Sequence, residues 1–410
     1  MKSLFLATTA LAVTTLAAVR PAATFIRPAG SHLGTGHDLA QPAPGWTVDP
    51  VPLTTIGSDD ADPQQQFAYV NLAERYSDGR VVIAVRGEAR LFTASGKFVK
   101  LISRQGEGPG EFRDIGHMMM LPGDTLMLAD ELGRKVAYFD QSGGFVRQEL
   151  MDKARWDGLG RWQECYSDIL PDRTRIGCLP DPSIPLSASN RASVHGDPGP
   201  GRLRTLQRLF VVSPDLNSVH PLGLYAGIEQ FGVKDNGGTH FYQHPFYGNS
   251  YFAAGGTPLR IAVATNPEYR IEIWTPQGKL MRVITRPGGR RAPTASDKRD
   301  MVTMMQQTLR GWHDTSSAVR ILAEIPTPDS LPAITGLAMA PGGELLVQRD
   351  GFFPSQKASM FDVFDATGAF SGTLRLPART RVLQAGRDFL LTVTRSVDDQ
   401  PLVQVYRLHR

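Results

Sequence analysis

Cysteine and uncompensated charge are both scarce in this chain. Its 410 residues include two cysteines, and 44 Lys and Arg face 40 Asp and Glu, which leaves a net charge of +4. Neither cysteine lies in a CxxC or histidine-flanked spacing, so a zinc or redox site is not expected at either. The near balance of charge lacks the dense basic stripe that binds a phosphate backbone, and nucleic acid is therefore not an expected partner.

Long apolar runs and common catalytic motifs are also missing. After the N-terminus no stretch reaches the roughly 20 apolar residues that a bilayer span needs, so no transmembrane anchor is expected. The sequence contains no G-x-S-x-G elbow, no H-E-x-x-H, no Walker loop and no EF-hand loop. These absences favour a non-catalytic protein, and no catalytic residue is predicted.

The N-terminus has the layout of an export signal. Lys2 precedes an apolar and hydroxyl run from Leu4 to Ala18, which is typical of a secretory signal peptide spanning residues 1–18. A membrane anchor is the alternative, but the run is too short for one. Residues 19–45 are rich in Pro, Gly and Ala and predict a flexible leader. The mature protein is expected to be periplasmic or secreted.

The two cysteines flank a predicted turn, and export would permit them to pair. In an antiparallel hairpin centred between Pro171 and Asp172, Cys165 and Cys178 face each other at a spacing that a disulfide can bridge. We predict one disulfide between them. Two free buried thiols are the alternative.

One pattern recurs from residue 46 to the end of the chain, a turn of Gly, Pro or Asp followed by a short β-prone run. Six copies begin at Ser77, Pro122, Pro171, Gly256, Pro341 and Ala385. Their spacings are 45, 49, 85, 85 and 44 residues, so three intervals match the period of a four-stranded propeller blade and two carry insertions. The pattern predicts an all-β fold over residues 46–410, a six-bladed β-propeller of four-stranded antiparallel blades.

Five of the copies are followed by a second hairpin, and the sixth is not. These outer hairpins begin at Arg90, Val136, Leu209, Ile271 and Asp362. The chain ends one strand short of a sixth, while a spare β-prone segment begins at Trp46. We predict that this N-terminal strand closes the ring against the last blade, because closure removes exposed sheet edges.

One helix is predicted in the insertion between blades four and five, over residues 294–310. Thr294 or Ser296 can cap it. One face of the helix is apolar and carries Met301, Met304, Met305 and Leu309. Packing of this face on the propeller is expected, and a Met-rich partner surface is the alternative.

Residues 106–148 resemble an NHL repeat, which opens with a Gly-rich turn and Phe and ends in an Asp-to-Gly hairpin. With the stretches at 103–112, 269–286 and 361–377, the chain resembles the bacterial exported six-bladed β-propeller family related to NHL-repeat proteins. The resemblance implies the fold but little chemistry, since such propellers include lactonases, lyases, sensors and scaffolds.

The segment 240–252 is the most unusual in composition, with two histidines and six aromatic residues among thirteen. By position we assign it to the inner strand of blade four and the loop before it. In a strand the two histidines lie about 13 Å apart, too far to bind one metal ion. We hypothesise a ligand platform at the channel mouth, formed by His117 on the inner strand of blade two and by His240, Tyr242, His244, Tyr247 and Tyr251. Aromatic packing between blades is the alternative.

The function predicted from the sequence is an exported binding module for a protein, peptide or carbohydrate. The alternative is a metal-dependent hydrolase or lyase, similar to a lactonase, with a divalent cation in the central channel. That alternative needs carboxylates, amides or histidines to converge from several blades. The sequence does not place them, because a one-residue slip of an inner strand exchanges its two faces.

Overall fold

We describe the protein from a computed structural model. The described residues are 45–410 without 60, 131–134, 151–167, 171, 181–199, 216, 236–237, 243, 245, 267, 287–289, 311–314, 350–357, 397 and 399. All of them belong to one compact unit. The predicted signal peptide, nearly all of the predicted leader and Cys165 lie outside the described residues.

Six antiparallel sheets follow one another along the chain. Two short N-terminal strands, β1 (Thr47–Val48) and β2 (Thr54–Ile56), precede them. Blade one contains β3 (Leu72–Arg75), β4 (Val81–Val85), β5 (Glu88–Phe92) and β6 (Phe98–Ser103). Blade two contains β7 (Ile115–Leu121), β8 (Thr125–Asp130), β9 (Lys135–Phe139) and β10 (Phe145–Leu150). Blade three contains β11 (Asp168–Ile169), β12 (Arg175–Pro180), β13 (Gly201–Val212), β14 (Val219–Asp235) and β15 (Gly238–Tyr242).

Blades four to six complete the ring. Blade four contains β16 (Ser250–Gly255), β17 (Arg260–Thr265), β18 (Arg270–Trp274) and β19 (Leu280–Thr285). Blade five contains β20 (Gly336–Met339), β21 (Leu345–Arg349), β22 (Ala358–Phe364) and β23 (Phe370–Ala378). Blade six contains β24 (Arg381–Ala385), β25 (Phe389–Arg395) and β26 (Pro401–His409). Every predicted turn-and-strand copy supplies the second strand of a blade, and the predicted outer hairpins supply the third and fourth. The six-bladed β-propeller is confirmed.

Apolar side chains fill the space between successive blades. Between blades one and two, Leu91, Phe112 and Leu128 are fully buried, and Phe92 and Leu391 are buried in the same way between blades one and six. The first strands of neighbouring blades lie side by side, as β3 does with β7 and β24. The ring therefore has a core between blades, and its first strands surround the central axis.

The N-terminal strands close the ring as predicted. β1 and β2 both pair antiparallel with β26, so blade six takes its outer strands from the start of the chain. Trp46 is buried between blades five and six, and the guanidinium of Arg410 lies over its ring at 4.3 Å. A Cβ atom at Gly45 would collide with the backbone of Thr373 on β23, so this position accepts only glycine at this approach.

The hairpin around Asp172 differs from the predicted register by one residue. Ile169 pairs with Arg175, and the amide of Leu170 donates to the carbonyl of Thr174 rather than facing Arg173. Arg173, in the turn between these strands, adopts a left-handed conformation with φ 70°. Cys178 is buried and disulfide-bonded. Because Cys165 lies outside the described residues, the predicted pair stays a prediction.

Blade three extends beyond the ring through the outer ends of β13 and β14 and through β15. This extension, the segment that leads from β15 to β16, and two helices from the connection between blades four and five pack together, and we call them the cap. The helices are α1 (Ala295–Arg310) and α2 (Thr315–Glu324). Thr294 caps α1, since its Oγ accepts the amide of Asp297 at 3.2 Å and the Asp297 carboxylate accepts the amide of Thr294 at 2.8 Å. The predicted helix is confirmed, whereas α2 and the fifth strand were not predicted.

Two residues of the apolar face of α1 pack inside the molecule, against the extension of blade three. Met301 and Met305 are buried with the other members of one cluster, Val233, Phe246, Tyr247, Ile321, Ile325 and Leu331. This cluster is the core of the cap.

Candidate ligand site

The cap lies at the end of the ring where the chain passes from one blade to the next. Arg204 on β13 donates from Nη1 to the carbonyl of Asn266, in the turn between β17 and β18, at 2.8 Å. The amide side chain of Asn266 in turn donates to the carbonyl of Ile334 at 2.6 Å and accepts its N–H at 3.1 Å. These bonds fix the cap to blade four and to the start of blade five.

The predicted site residues do not all lie where the sequence placed them. His240 and Tyr242 belong to β15, the outer strand of blade three, and not to the inner strand of blade four. The reason is the length of β14, which runs 17 residues and then folds back, so that Phe231 pairs with Tyr242. The side chain of His240 is exposed there. The assignment of these two residues to blade four was wrong.

His117 and Tyr251 lie on first strands of blades. His117 is buried on β7 of blade two, and Tyr251 is half-buried on β16 of blade four. Tyr251 lines a cavity of 30 Å³ between blades three and four, together with Gln207 and Asn249. A cavity of this size holds one or two water molecules rather than a larger ligand.

His244 is a buried polar residue in the cap. Its side chain is 1 % exposed, and its ring stacks on Tyr247 with centroids 4.7 Å apart. Nδ1 accepts the amide N–H of Phe246 at 3.0 Å. A neutral imidazole that accepts at Nδ1 carries its proton on Nε2. That Nε2–H is buried and has no acceptor among the described residues.

The surroundings of His244 favour the neutral ring. Burial, with a smaller contribution from the positive charge of Arg202, lowers the pKa of His244 from 6.5 to about 4. The Arg202 guanidinium lies over the Tyr247 ring at 4.8 Å and pairs with Glu229 at 2.6 Å. Glu229 also accepts the amide of Gly248 at 2.9 Å, which holds the loop that carries His244 against β14.

Tyr247 and Tyr242 contribute to the core of the cap. Tyr247 is buried and donates its hydroxyl to the carbonyl of Pro326 at 3.0 Å, and burial raises its pKa to about 12. Tyr242 packs against the same apolar cluster. The structure thus brings His244, Tyr247 and Tyr242 together, while ligand binding by them stays a prediction.

A buried carboxylate, that of Asp362, lies between blades four and five near the same end of the ring. The Asp362 carboxylate is fully buried on β22, and it accepts from the Tyr269 hydroxyl at 2.8 Å and from Arg286 at 2.6 Å. Arg349 lies 3.1 Å away but is not aligned for a hydrogen bond. Burial and the Asp362 charge raise the pKa of Tyr269 well above 10. Sequence reasoning did not find this group, which joins two blades.

The alternative function requires a divalent cation in the central channel. Within the described part of the chain, no three His, Cys, Asp or Glu side chains converge as metal ligands do. The N–H bond to Nδ1 also leaves the buried Nε2 of His244 protonated, and a protonated nitrogen has no lone pair for a metal ion.

Among the described residues, no helix has the length and apolarity of a membrane span.

Solved structures of other proteins show only distant similarity to this chain. A Xanthomonas campestris gluconolactonase is 12 % identical over 90 % of this chain and 99 % of its own, with a TM-score of 0.39. Virginiamycin B lyase from Staphylococcus aureus is 8 % identical over 89 % and 99 %, with a TM-score of 0.37. Similarities this low carry no argument about function. No curated protein matches the chain.

The family comparison agrees with the sheets described above. Residues 75–155, which include most of blades one and two, match a family described as 6-bladed beta-propeller. The predicted resemblance to a six-bladed propeller family is confirmed in this respect, while the relation to NHL repeats stays a prediction. The chain is a six-bladed β-propeller, and its residues 75–155 are similar to a family described as having that fold.

Proposed function

We propose that this propeller is an exported, non-catalytic binding module that holds a protein, peptide or carbohydrate ligand at the capped end of the ring. The observation that carries the proposal is the buried Nε2–H of His244, which has no acceptor among the described residues. Leaving a buried donor unpaired costs about 1–3 kcal/mol. A carbonyl, hydroxyl or carboxylate oxygen of a ligand would recover that cost when the ligand displaces the residues that cover His244.

The surroundings of His244 support binding over chemistry. Its pKa of about 4 keeps the ring neutral near pH 7, so it offers a hydrogen bond rather than a proton to transfer. Arg202 and Glu229 are already engaged with each other and hold the loop in place. A fixed donor beside rigid aromatic rings suits recognition of an oxygen-bearing ligand.

Export forms part of the proposal and rests on residues 1–18. If the signal is cleaved after Ala18, the protein recovered from the export compartment begins at Val19. N-terminal sequencing of that material tests this. A mature chain that still begins at Met1 would contradict it.

The binding proposal is tested with a panel of short peptides and oligosaccharides, using saturation-transfer NMR. His244→Asn is the informative variant, because the Asn side-chain oxygen can still accept the Phe246 amide while the distal donor is lost. His240→Asn is the matched control on exposed β15. We expect at least one panel member to bind the wild type and to bind H244N about three- to tenfold more weakly.

Two results would count against the proposal. One is a panel without any binder, and the other is a binder whose affinity falls equally in H244N and H240N. Elemental mass spectrometry on protein dialysed without chelator tests the alternative. About one equivalent of a divalent metal per chain would favour the hydrolase or lyase instead.

A further inference from the structure

A recess with apolar and charged walls lies away from the cap, between blades four and five, and we call it the interblade pocket. Its volume is 220 Å³, many times the about 10–15 Å³ that a water molecule needs. It is lined in part by the turn before β21 and the turn between β22 and β23. Those turns lie at the end of the blades opposite the blade-to-blade connections, so the interblade pocket is separate from the cap.

The inner wall of the interblade pocket is apolar. Ile273, Ile284, Leu345 and Phe364 line it and are buried members of the core between the two blades. Met339 continues this wall, and Met281 at the rim is 49 % exposed. The pocket therefore offers a ligand a hydrophobic surface that is already formed.

Arg260 gives the interblade pocket an uncompensated positive charge. Its Nη1 donates to the carbonyl of Ala366, which holds the guanidinium in place. Its Nε is buried without an acceptor, and no carboxylate pairs with it within the described residues. A guanidinium in this state favours an anionic oxygen as partner.

The remaining charges at the pocket leave one positive charge in excess. Arg282 is exposed, and its side chain passes over Gly368. Burial raises the pKa of Asp365, but hydrogen bonds from Thr367 and Ala369, with a smaller contribution from the charge of Arg282, lower it below its ordinary value. The Asp365 carboxylate accepts the amides of Thr367 and Ala369 at 2.8 and 3.0 Å. Two guanidinium groups thus face one carboxylate that is already hydrogen-bonded.

From this combination of walls and charges we infer that the interblade pocket binds the carboxylate of a small apolar molecule. Its acidic group would pair with Arg260 and Arg282, and its apolar body would lie against Ile284 and Phe364. This site goes beyond the proposed function and does not depend on it, because it uses no residue of the cap.

Isothermal titration calorimetry with sodium octanoate tests the inference, with octanamide as the uncharged probe of the same shape. We expect octanoate to bind the wild type at one site and octanamide to bind at least tenfold more weakly. Arg260→Gln should weaken octanoate binding at least tenfold. Arg387→Gln, an exposed arginine outside the pocket, is the matched control and should change nothing.

A second variant keeps the test decisive if R260Q does not fold. Arg282→Gln removes an exposed side chain and should weaken octanoate about three- to tenfold with an unchanged circular dichroism spectrum. Raising NaCl should weaken octanoate but not octanamide. The inference is overturned if octanoate shows no saturable binding to the wild type, or if R260Q and R282Q bind it as R387Q does. Loss of octanoate binding in H244N would instead place the probe in the cap.

Discussion

At the scale of single residues, His244 links the stability of the cap to pH. Its pKa in the folded protein is about 4, against 6.5 in an unfolded chain, because burial disfavours the charged ring. The folded state therefore stays neutral in a range where the unfolded state binds a proton. Stability from this group is full above pH 6.5 and falls as the pH drops from 6.5 toward 4, by roughly 3 kcal/mol in total.

Urea unfolding at several pH values between 4 and 7 measures this dependence. His244→Asn removes the titrating ring, so we expect its stability to fall less steeply over that range than that of the wild type. His240→Asn, which replaces an exposed histidine, is the matched control. Equal slopes for the wild type and H244N would show that His244 is not the group responsible.

The same residues show how far sequence reasoning reaches. The composition of 240–252 singled out His244 and Tyr247, but it could not show that His240 lies on a different blade from Tyr251. That separation depends on the length of β14, which no local pattern gives. Arg202 and Glu229 were missed for the same reason. The hairpin predicted from Leu209 could have been extended toward its open end, where Arg204 pairs with Glu229 and Arg202 lies two residues further along the same strand.

At the scale of elements, the cap, which includes α1, has a core of its own. Met301 and Met305 on α1 are buried against Phe246 and Tyr247 and do not contribute to the clusters between blades. Truncating both to alanine removes apolar contacts that only the cap uses, at about 2 kcal/mol or more for each. We expect the cap to open while the blades stay folded.

Hydrogen exchange followed by mass spectrometry detects that opening. Amides of α1, α2 and β15 should exchange at least about thirtyfold faster in the double variant Met301→Ala and Met305→Ala, while amides of β17 and β21 keep their protection. Val302→Ala, on the exposed side of α1 at 38 % exposure, is the control. Faster exchange throughout the blades would show that cap and ring unfold together.

Elements with a repeated or periodic pattern were predictable, and single additions were not. Six turn-and-strand copies predicted six blades because each blade must bury both faces in the same way. The period of apolar residues predicted α1. In contrast, β15 and α2 occur once, inside intervals whose extra length predicted only an insertion. Their positions depend on packing against the cap core, to which Val233 and Ile321 belong.

At the scale of the whole molecule, the ring is held closed by the two ends of the described chain. β26 pairs with β25 on one side and with β1 and β2 on the other, so blade six is complete only when both ends are present. Ile56 is fully buried between blades six and one, and Trp46 is buried between blades five and six. The N-terminal segment therefore contributes to the interfaces on both sides of blade six.

A chain that begins at Gly57 tests this closure. It lacks Trp46, Ile56 and both strands that cover β26, so we expect it to lose about 5 kcal/mol or more of stability and to associate through the exposed edge. Urea unfolding and size-exclusion chromatography with light scattering measure the two effects. A chain that begins at Gly45 keeps both strands and is the control, expected to match the full-length protein in both measurements. If the chain from Gly57 stays monomeric with an unchanged midpoint, the ring does not depend on its N-terminal strands, and blade six is stable with β24, β25 and β26 alone.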